Sequence, residues 1–156
     1  MPTVTVREYN PASGALLSNV TTLNFGRVQS GTSSRVKVID ISFGDITVVG
    51  NIKLALISNG GITVNANPQD IDAKNTASNG HFGIEDSYDF NAAKTASPLA
   101  RHFAGVNGTG TASDSNNVLI GSKSSQTSNY IYLDIELGAT NINAMNGAYK
   151  VFFDFS

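Results

Sequence analysis

Two segments near the end of the chain carry apolar side chains at every second position. In residues 130–137 these are Ile131, Leu133, Ile135 and Leu137, and in residues 149–155 they are Tyr149, Val151, Phe153 and Phe155. Successive side chains of a β-strand point to opposite faces of the sheet, so a period of two indicates a strand with one apolar face. Both segments are therefore predicted to be half-buried antiparallel strands, with the second face toward solvent or a partner.

The N-terminal half contains further short segments of this kind, separated by turn residues. The predicted strands are residues 3–9, 20–25, 35–43, 46–49, 52–58 and 62–65. Gly50-Asn51 and Asn59-Gly60-Gly61 separate the last three, and such sequences tolerate the positive φ of hairpin turns. About eight short strands at this spacing, without a competing helical period, predict an all-β antiparallel β-sandwich.

The side of the apolar residues changes within residues 35–43. Val36 and Val38 are followed by Ile39, Ile41 and Phe43, which belong to the opposite face of a regular strand. A β-bulge near Val38 and Ile39 would shift the faces by one residue. Burial of both faces of the strand is the alternative explanation, and the pattern leaves both open.

A long stretch, residues 66–117, has neither a strand pattern nor a helical one. It contains both histidines, half of the acidic residues and four aromatic residues. Such a loop is unusual in a compact domain, and its aromatic residues argue against complete disorder. The chain is therefore predicted to be one domain, residues 1–156, with an N-terminal arm at residues 1–11. The loop insertion at residues 66–117 is expected to order on its own aromatic residues or on a neighbouring subunit.

Composition excludes several classes of protein. The chain has no cysteine, which excludes disulfides, thiolate metal sites and cysteine nucleophiles. The formal net charge is −2, and no apolar run reaches the roughly 20 residues of a membrane helix. Neither nucleic acid nor a membrane is therefore expected as a partner. The first residues lack the basic and apolar regions of a secretory signal, so no such signal is expected. The absence of cysteine favours assembly in a reducing cytoplasm.

Acidic residues and histidines of the insertion are the candidates for a metal site. The possible zinc or manganese ligands are His81, Glu85, Asp86, Asp89 and His102. Their spacing matches no known zinc pattern. Residues 70–72 and 114–117 resemble fragments of calcium loops, but Asp and Asn that form turns explain them with fewer assumptions. Solvated loop residues are the favoured explanation, so no metal and no cofactor is expected.

No catalytic arrangement is recognisable in the sequence. Glycan hydrolysis needs two carboxylates at a set separation, which three scattered glutamates do not establish. The chain has no G-x-S-x-G nucleophile elbow and no G-x-x-x-x-G-K-[ST] phosphate loop. It is therefore predicted not to be an enzyme, and no catalytic residue is assigned.

Aromatic side chains are the candidate contact residues. Tyr130, Tyr132 and Phe152 lie on the otherwise polar faces of predicted strands, where a ring can stack on a sugar or become buried at a protein interface. A core on both sides of the sheet, beneath the insertion, explains them equally well. The predicted interface residues are Tyr130, Tyr132, Phe152, Phe82, Tyr88, Phe90 and Phe103.

Residues 23–32 read Leu-Asn-Phe-Gly-Arg-Val-Gln-Ser-Gly-Thr and precede a predicted strand. This segment resembles the opening of abnormal-spindle/Hydin-type immunoglobulin-like domains, L-x-F-G-x-V-x-x-G. The matching residues are Leu23, Phe25, Gly26, Val28 and Gly31. The resemblance ends before the long insertion and implies an immunoglobulin-like sandwich. Such modules occur in scaffolding proteins and in phage virion proteins, so the resemblance bears on fold more than on role.

Asn (17), Ser (17), Gly (15) and Thr (13) dominate this short, cysteine-free chain. In composition and class it resembles the decoration or cement proteins of tailed-bacteriophage capsids. The resemblance implies a non-enzymatic virion protein that is made in the host cytoplasm and located on the capsid surface. Its expected partners are the major capsid protein and sister copies in a homo-oligomer.

Two other functions remain open. Tyrosines surrounded by Asn, Asp and Ser suit sugar recognition, so the alternative is a glycan-binding or adhesive module, such as a phage fibre, a receptor-binding domain or a fimbrial subunit. A cytoplasmic scaffold of the Hydin type is a third class.

Overall fold

The computed structural model of the chain describes residues 2–11, 13–58, 62–68, 113, 118–123, 127–128, 130–138 and 147–155. Within these ranges the chain forms β-strands and no helix. The strands are β1 (Thr3–Tyr9), β2 (Leu16–Asn19), β3 (Lys37–Gly44), β4 (Val49–Ser58), β5 (Ile62–Pro68), β6 (Val118–Lys123), β7 (Ile131–Leu137) and β8 (Gly147–Phe155). The prediction of an all-β fold is confirmed.

The strands form two antiparallel sheets. Sheet A has the order β2-β1-β3-β7-β5, and sheet B has the order β6-β4-β8. In sheet A, β3 pairs with β1 from Val38 opposite Tyr9 to Gly44 opposite Thr3. It pairs with β7 over three residues, from Lys37 opposite Leu133 to Ile39 opposite Ile131. The middle strands are therefore β3 in sheet A and β4 in sheet B.

Apolar side chains from both sheets meet in one core. Its buried residues are Val6, Ile39, Ile41, Phe43, Ile46, Val49, Ile52, Leu54, Ile131 and Leu133. Tyr149, Val151 and Phe153 of β8 pack against them, as the alternation of this segment predicts. The rings of Phe43 and Phe153 meet edge to face, 4.8 Å apart between centroids. A core shared by two antiparallel sheets is consistent with a β-sandwich.

Burial on both faces explains the change of apolar side in β3. The strand pairs with β1 in a continuous register, without a bulge. Ile39, Ile41 and Phe43 face the shared core, whereas Val38 and Asp40 are equally buried on the other face. Of the two explanations that the sequence leaves open, burial of both faces therefore holds, and no bulge lies near Val38 and Ile39.

Gly50-Asn51 is not the hairpin turn that the sequence predicts. It belongs to β4, which runs without interruption from Val49 to Ser58. The pairing of β4 with both neighbours shifts register here, and Asn51 has a φ of 50°. A bulge uses the same positive φ as a hairpin turn, so the dipeptide alone does not distinguish the two.

The turn predicted at residues 59–61 does not close a hairpin either. The strands on each side of it, β4 and β5, lie in different sheets. Residues 59–61 themselves lie outside the described residues. Turn residues indicate that the chain changes direction, but they do not indicate which sheet the next strand joins.

The segment between β2 and β3 contains no strand at residues 20–25, where the sequence predicts one. Val20, Leu23 and Phe25 are half-buried and pack against the shared core from outside the sheets. Hydrogen bonds between the end of this segment and β7, such as Ser34 N to Ile135 O at 2.7 Å, hold it in place. Alternating Leu23 and Phe25 thus cover the core without joining a ladder.

Two predicted boundaries can be compared with the strands. Residues 3–9 of the predicted N-terminal arm form β1 inside sheet A, and residues 66–68 of the predicted insertion belong to β5. Residues 69–112 and 114–117 lie outside the described residues.

Candidate functional site

Three of the predicted interface residues can be located. Tyr130 and Tyr132, beside and within β7, are buried with 6% and 1% exposure. Phe152 is half-buried in sheet B, opposite Lys53. The remaining four, which lie outside the described residues, are Phe82, Tyr88, Phe90 and Phe103. The located residues are thus divided between two sheets, and their role in an interface stays a prediction.

The two tyrosines belong to a second buried cluster, on the face of sheet A that points away from the shared core. We call it the outer cluster, and its members are Tyr9, Val36, Val38, Tyr130 and Tyr132. Register places them on one face, because Val38 lies opposite both Tyr9 in β1 and Tyr132 in β7. The rings of Tyr9 and Tyr130 meet edge to face with centroids 5.0 Å apart.

Asp40 is buried on this face, and its side chain has no exposed surface. Asp134 of β7, two residues after Tyr132, is also buried on this face, with 7% exposure. Arg7, directly opposite Asp40 in β1, donates from Nε to Oδ1 at 2.8 Å and from Nη2 to Oδ2 at 2.6 Å. The hydroxyl of Tyr9 donates to Oδ2 at 3.1 Å. A carboxylate loses its hydration on burial, and a bidentate guanidinium with an added hydroxyl offsets that loss.

Two tyrosines of the outer cluster and the neighbouring Arg7 have raised pKa values. Burial raises the pKa of Tyr9, and the neighbouring Asp40 charge raises it further. Burial and the same charge raise the pKa of Tyr130. The hydrogen bond with Asp40 raises the pKa of Arg7. Arg7 and Tyr9 are protonated at neutral pH and donate hydrogen bonds to Asp40.

A second ion pair crosses from β1 to β3 on the core-facing side. Lys37 Nζ lies 2.5 Å from Glu8 Oε1 and 5.8 Å from the centroid of the Phe25 ring. One ion pair on each face of sheet A thus links β1 to β3. The chemistry available here is structural: it fixes the N-terminal strand to the centre of sheet A.

Sequence reasoning missed this arrangement. Charged residues in a predicted strand are usually taken to face water. The signal that could have found Asp40 is its spacing, because it lies on the same face as Val36 and Val38. Arg7 offers a matching charge in another predicted strand, but the pairing of the two strands is not readable from the sequence.

Exposed leucines mark one edge of sheet A. All residues of β2 are exposed, with Leu16 and Leu17 at 55% and 56%. Among the described strands β2 pairs with β1 alone, and a register shift leaves Leu17 without an opposite residue in β1. Residues 10–26 contain no charged side chain. We call β2 the leucine edge, since it lacks the charges that commonly keep sheet edges apart.

The metal candidates of the sequence cannot be compared with this geometry. His81, His102 and the acidic residues near them lie outside the described residues, as do residues 70–72 and 114–117. In the part of the chain that the structure describes, no three His, Cys, Asp or Glu side chains are placed to hold a metal ion. The same part contains no helix that is long and apolar enough to cross a membrane.

Comparison with known proteins adds no further assignment. No family model matches the sequence, and no curated protein is similar to it. The outer cluster and the leucine edge are thus the two features of the described residues that bear on function.

Proposed function

We propose that the protein is a non-enzymatic structural component of a tailed-bacteriophage virion. In this proposal an immunoglobulin-like β-sandwich lies on the capsid surface and stabilises the capsid through contacts with the major capsid protein and with sister copies. The observation that carries the proposal is the leucine edge. An exposed, charge-free edge strand is a surface that another chain can cover, by side-chain burial or by strand addition.

The contact at the leucine edge is small for each copy. Covering the exposed part of Leu16 or Leu17 contributes about 1 kcal/mol. The register shift at Leu17 also limits how far a neighbouring strand can continue the ladder. Useful stabilisation therefore requires many copies acting together, as in a cyclic oligomer repeated over a capsid.

The outer cluster supports a passive role. Arg7 and Asp40 neutralise each other, and the hydroxyl of Tyr9 donates a hydrogen bond to the same carboxylate. A group held in such pairs contributes to shape and rigidity and is not free to transfer protons to a substrate.

The proposed stabilisation of the capsid follows from mass action. Binding to the assembled capsid, and not to its separated subunits, opposes disassembly.

Capsids that lack the protein provide the test. Wild-type protein is expected to co-sediment with them and to raise their disassembly temperature. The variant Leu16→Lys/Leu17→Lys should bind at least about tenfold more weakly, because lysine keeps an edge in water. The control variant Gln29→Lys/Thr47→Lys adds the same charge at exposed positions outside β2 and should bind like the wild type.

Two outcomes would overturn the proposal. The first is a wild-type protein that stays monomeric and neither binds nor stabilises such capsids. The second is a set of specific glycan-array hits without capsid binding, which would instead favour the glycan-binding alternative. The burial of Tyr130 and Tyr132 weighs against those two rings as sugar-stacking surfaces.

A further inference from the structure

We propose that Arg7, Asp40 and Tyr9 set the register of the N-terminal hairpin on β3. The hairpin consists of β1 and β2, residues 3–19. Without these side chains, β1 would also pair with β3 two residues away from its present position. The inference is independent of the proposed function, because it concerns only the pairing of two strands within the chain.

The apolar side of the ladder does not distinguish the two registers. Val4 and Val6 lie opposite Phe43 and Ile41. A shift of two residues places them opposite Ile41 and Ile39, which are also buried in the shared core. Such a shift keeps every side chain on its own face, so the apolar pattern is preserved.

The ion pair on the core-facing side does not distinguish them either. Glu8 lies opposite Ile39 and reaches Lys37 diagonally, at 2.5 Å. In the shifted register Glu8 would lie directly opposite Lys37. This pair of charges therefore suits both registers.

The outer face favours the present register. Arg7 is opposite Asp40, and Tyr9 is close enough to donate to the same carboxylate. After the shift, Thr5 would face Asp40, and Arg7 would face Val38 and approach Asp40 only along a diagonal. The fully buried carboxylate would then lose the bidentate geometry that offsets its burial. A single buried polar residue is known to fix register in coiled coils.

The register of β1 also decides where the leucine edge lies. A two-residue shift moves a strand by about 7 Å along its neighbour. Because β2 is paired with β1, Leu16 and Leu17 would move with it. The buried ion pair thus positions an exposed surface on the opposite side of β1.

The absence of native cysteine allows the two registers to be trapped separately. Thr5→Cys/Ser42→Cys reports the present register, in which these residues lie opposite each other. Thr3→Cys/Ser42→Cys reports the shifted register, in which Thr3 would lie opposite Ser42. In the present register Thr3 lies opposite Gly44. A disulfide needs Cα atoms within about 7 Å, so the second pair should cross-link only after the shift. Non-reducing mass spectrometry gives both yields.

The decisive variant is Arg7→Met/Asp40→Leu, which removes both charges and leaves neither unpaired. In this background the Thr3→Cys/Ser42→Cys yield is expected to rise about tenfold or more over the unsubstituted background, while the Thr5→Cys/Ser42→Cys yield falls. The matched control Glu8→Gln/Lys37→Met removes the other ion pair and should leave both yields unchanged.

A folded Arg7→Met/Asp40→Leu protein that cross-links only in the present register would overturn the proposal. An equal shift in the Glu8→Gln/Lys37→Met control would also overturn it, because any loss of charge would then suffice. Failure of Arg7→Met/Asp40→Leu to fold counts against it as well. Apolar replacement of a complete buried pair is often tolerated, so such a failure would assign the pair to stability instead of register.

Discussion

Asp40 shares the outer face of sheet A with valines and tyrosines and has no exposed side-chain surface. Its charge is tolerated because Arg7 and Tyr9 supply three donors from a single neighbouring strand. The side chain of Arg7 keeps 25% of its surface exposed, so the guanidinium retains part of its hydration while it neutralises the carboxylate. The burial cost therefore falls mainly on Asp40.

Tyr9 gives the protein a sensitivity to alkaline pH. Burial and the Asp40 charge raise the pKa of Tyr9, so the folded protein keeps a proton that the unfolded chain releases near the ordinary pKa of about 10. The stability contributed by this proton is complete below about pH 10 and is lost as the pH rises above it. Tyr9→Phe should therefore lose less of its free energy of unfolding above about pH 10 than the wild type.

Urea unfolding measured from about pH 8 to about pH 11 tests this expectation. At neutral pH the variant should be about 2 kcal/mol less stable, because it loses a hydrogen bond to the charged carboxylate of Asp40. Tyr149→Phe is a useful comparison, because burial alone raises the pKa of Tyr149. Parallel pH profiles for wild type and Tyr9→Phe would contradict the role given to this phenol.

Individual strands differ in how far the sequence predicted them. The alternation of β7 and β8 identified both strands and most of the residues that face the core, since a buried face imposes a period of two. Phe155 is the exception, because this last residue of β8 is 59% exposed. β2 is a short, exposed strand with two adjacent leucines, so its sequence has no alternation that would identify a buried face. The burial of Tyr130 and Tyr132 was one of two open explanations, because a strand's own sequence does not say what covers its second face.

The bulge in β4 can be tested at Asn51. Its φ of 50° lies in the left-handed region, which glycine adopts freely and alanine adopts at a cost of about 1 kcal/mol or slightly more. Asn51→Ala should therefore lower the free energy of unfolding by about 1 kcal/mol relative to Asn51→Gly. Both variants lose the same hydrogen bond to Asp154, at 3.2 Å, so their difference isolates the backbone. Equal stabilities in urea would show that residue 51 does not have this conformation.

On the scale of the whole molecule, the described part of sheet A is buried most deeply in its middle strand. β3 is covered on one face by the shared core and on the other by the outer cluster, while β2 at the edge is exposed. Purely antiparallel sheets often leave one face in water, and here the middle of the sheet does not. Local stability should therefore decrease from β3 toward the edge at β2.

Hydrogen exchange can measure this gradient. Amides in the middle of β3, such as Ile41, which donates to Ser128 Oγ at 2.9 Å, should exchange only on global unfolding. Amides of β2 should exchange much faster, through local opening of the edge. Protection in β2 equal to that in β3 would mean that the hairpin and the middle of the sheet open together.

The pairing of β3 with β7 has a consequence for the newly made chain. Val38 lies opposite Tyr132, so one edge of β3 cannot pair until β7 has left the ribosome. Translation proceeds at about 5–20 residues per second, which keeps that edge open for several seconds. During this interval the nascent chain presents apolar residues and unsatisfied backbone groups to its surroundings. Molecular chaperones are therefore natural early contacts of this polypeptide, and fragments that stop short of β7 should aggregate.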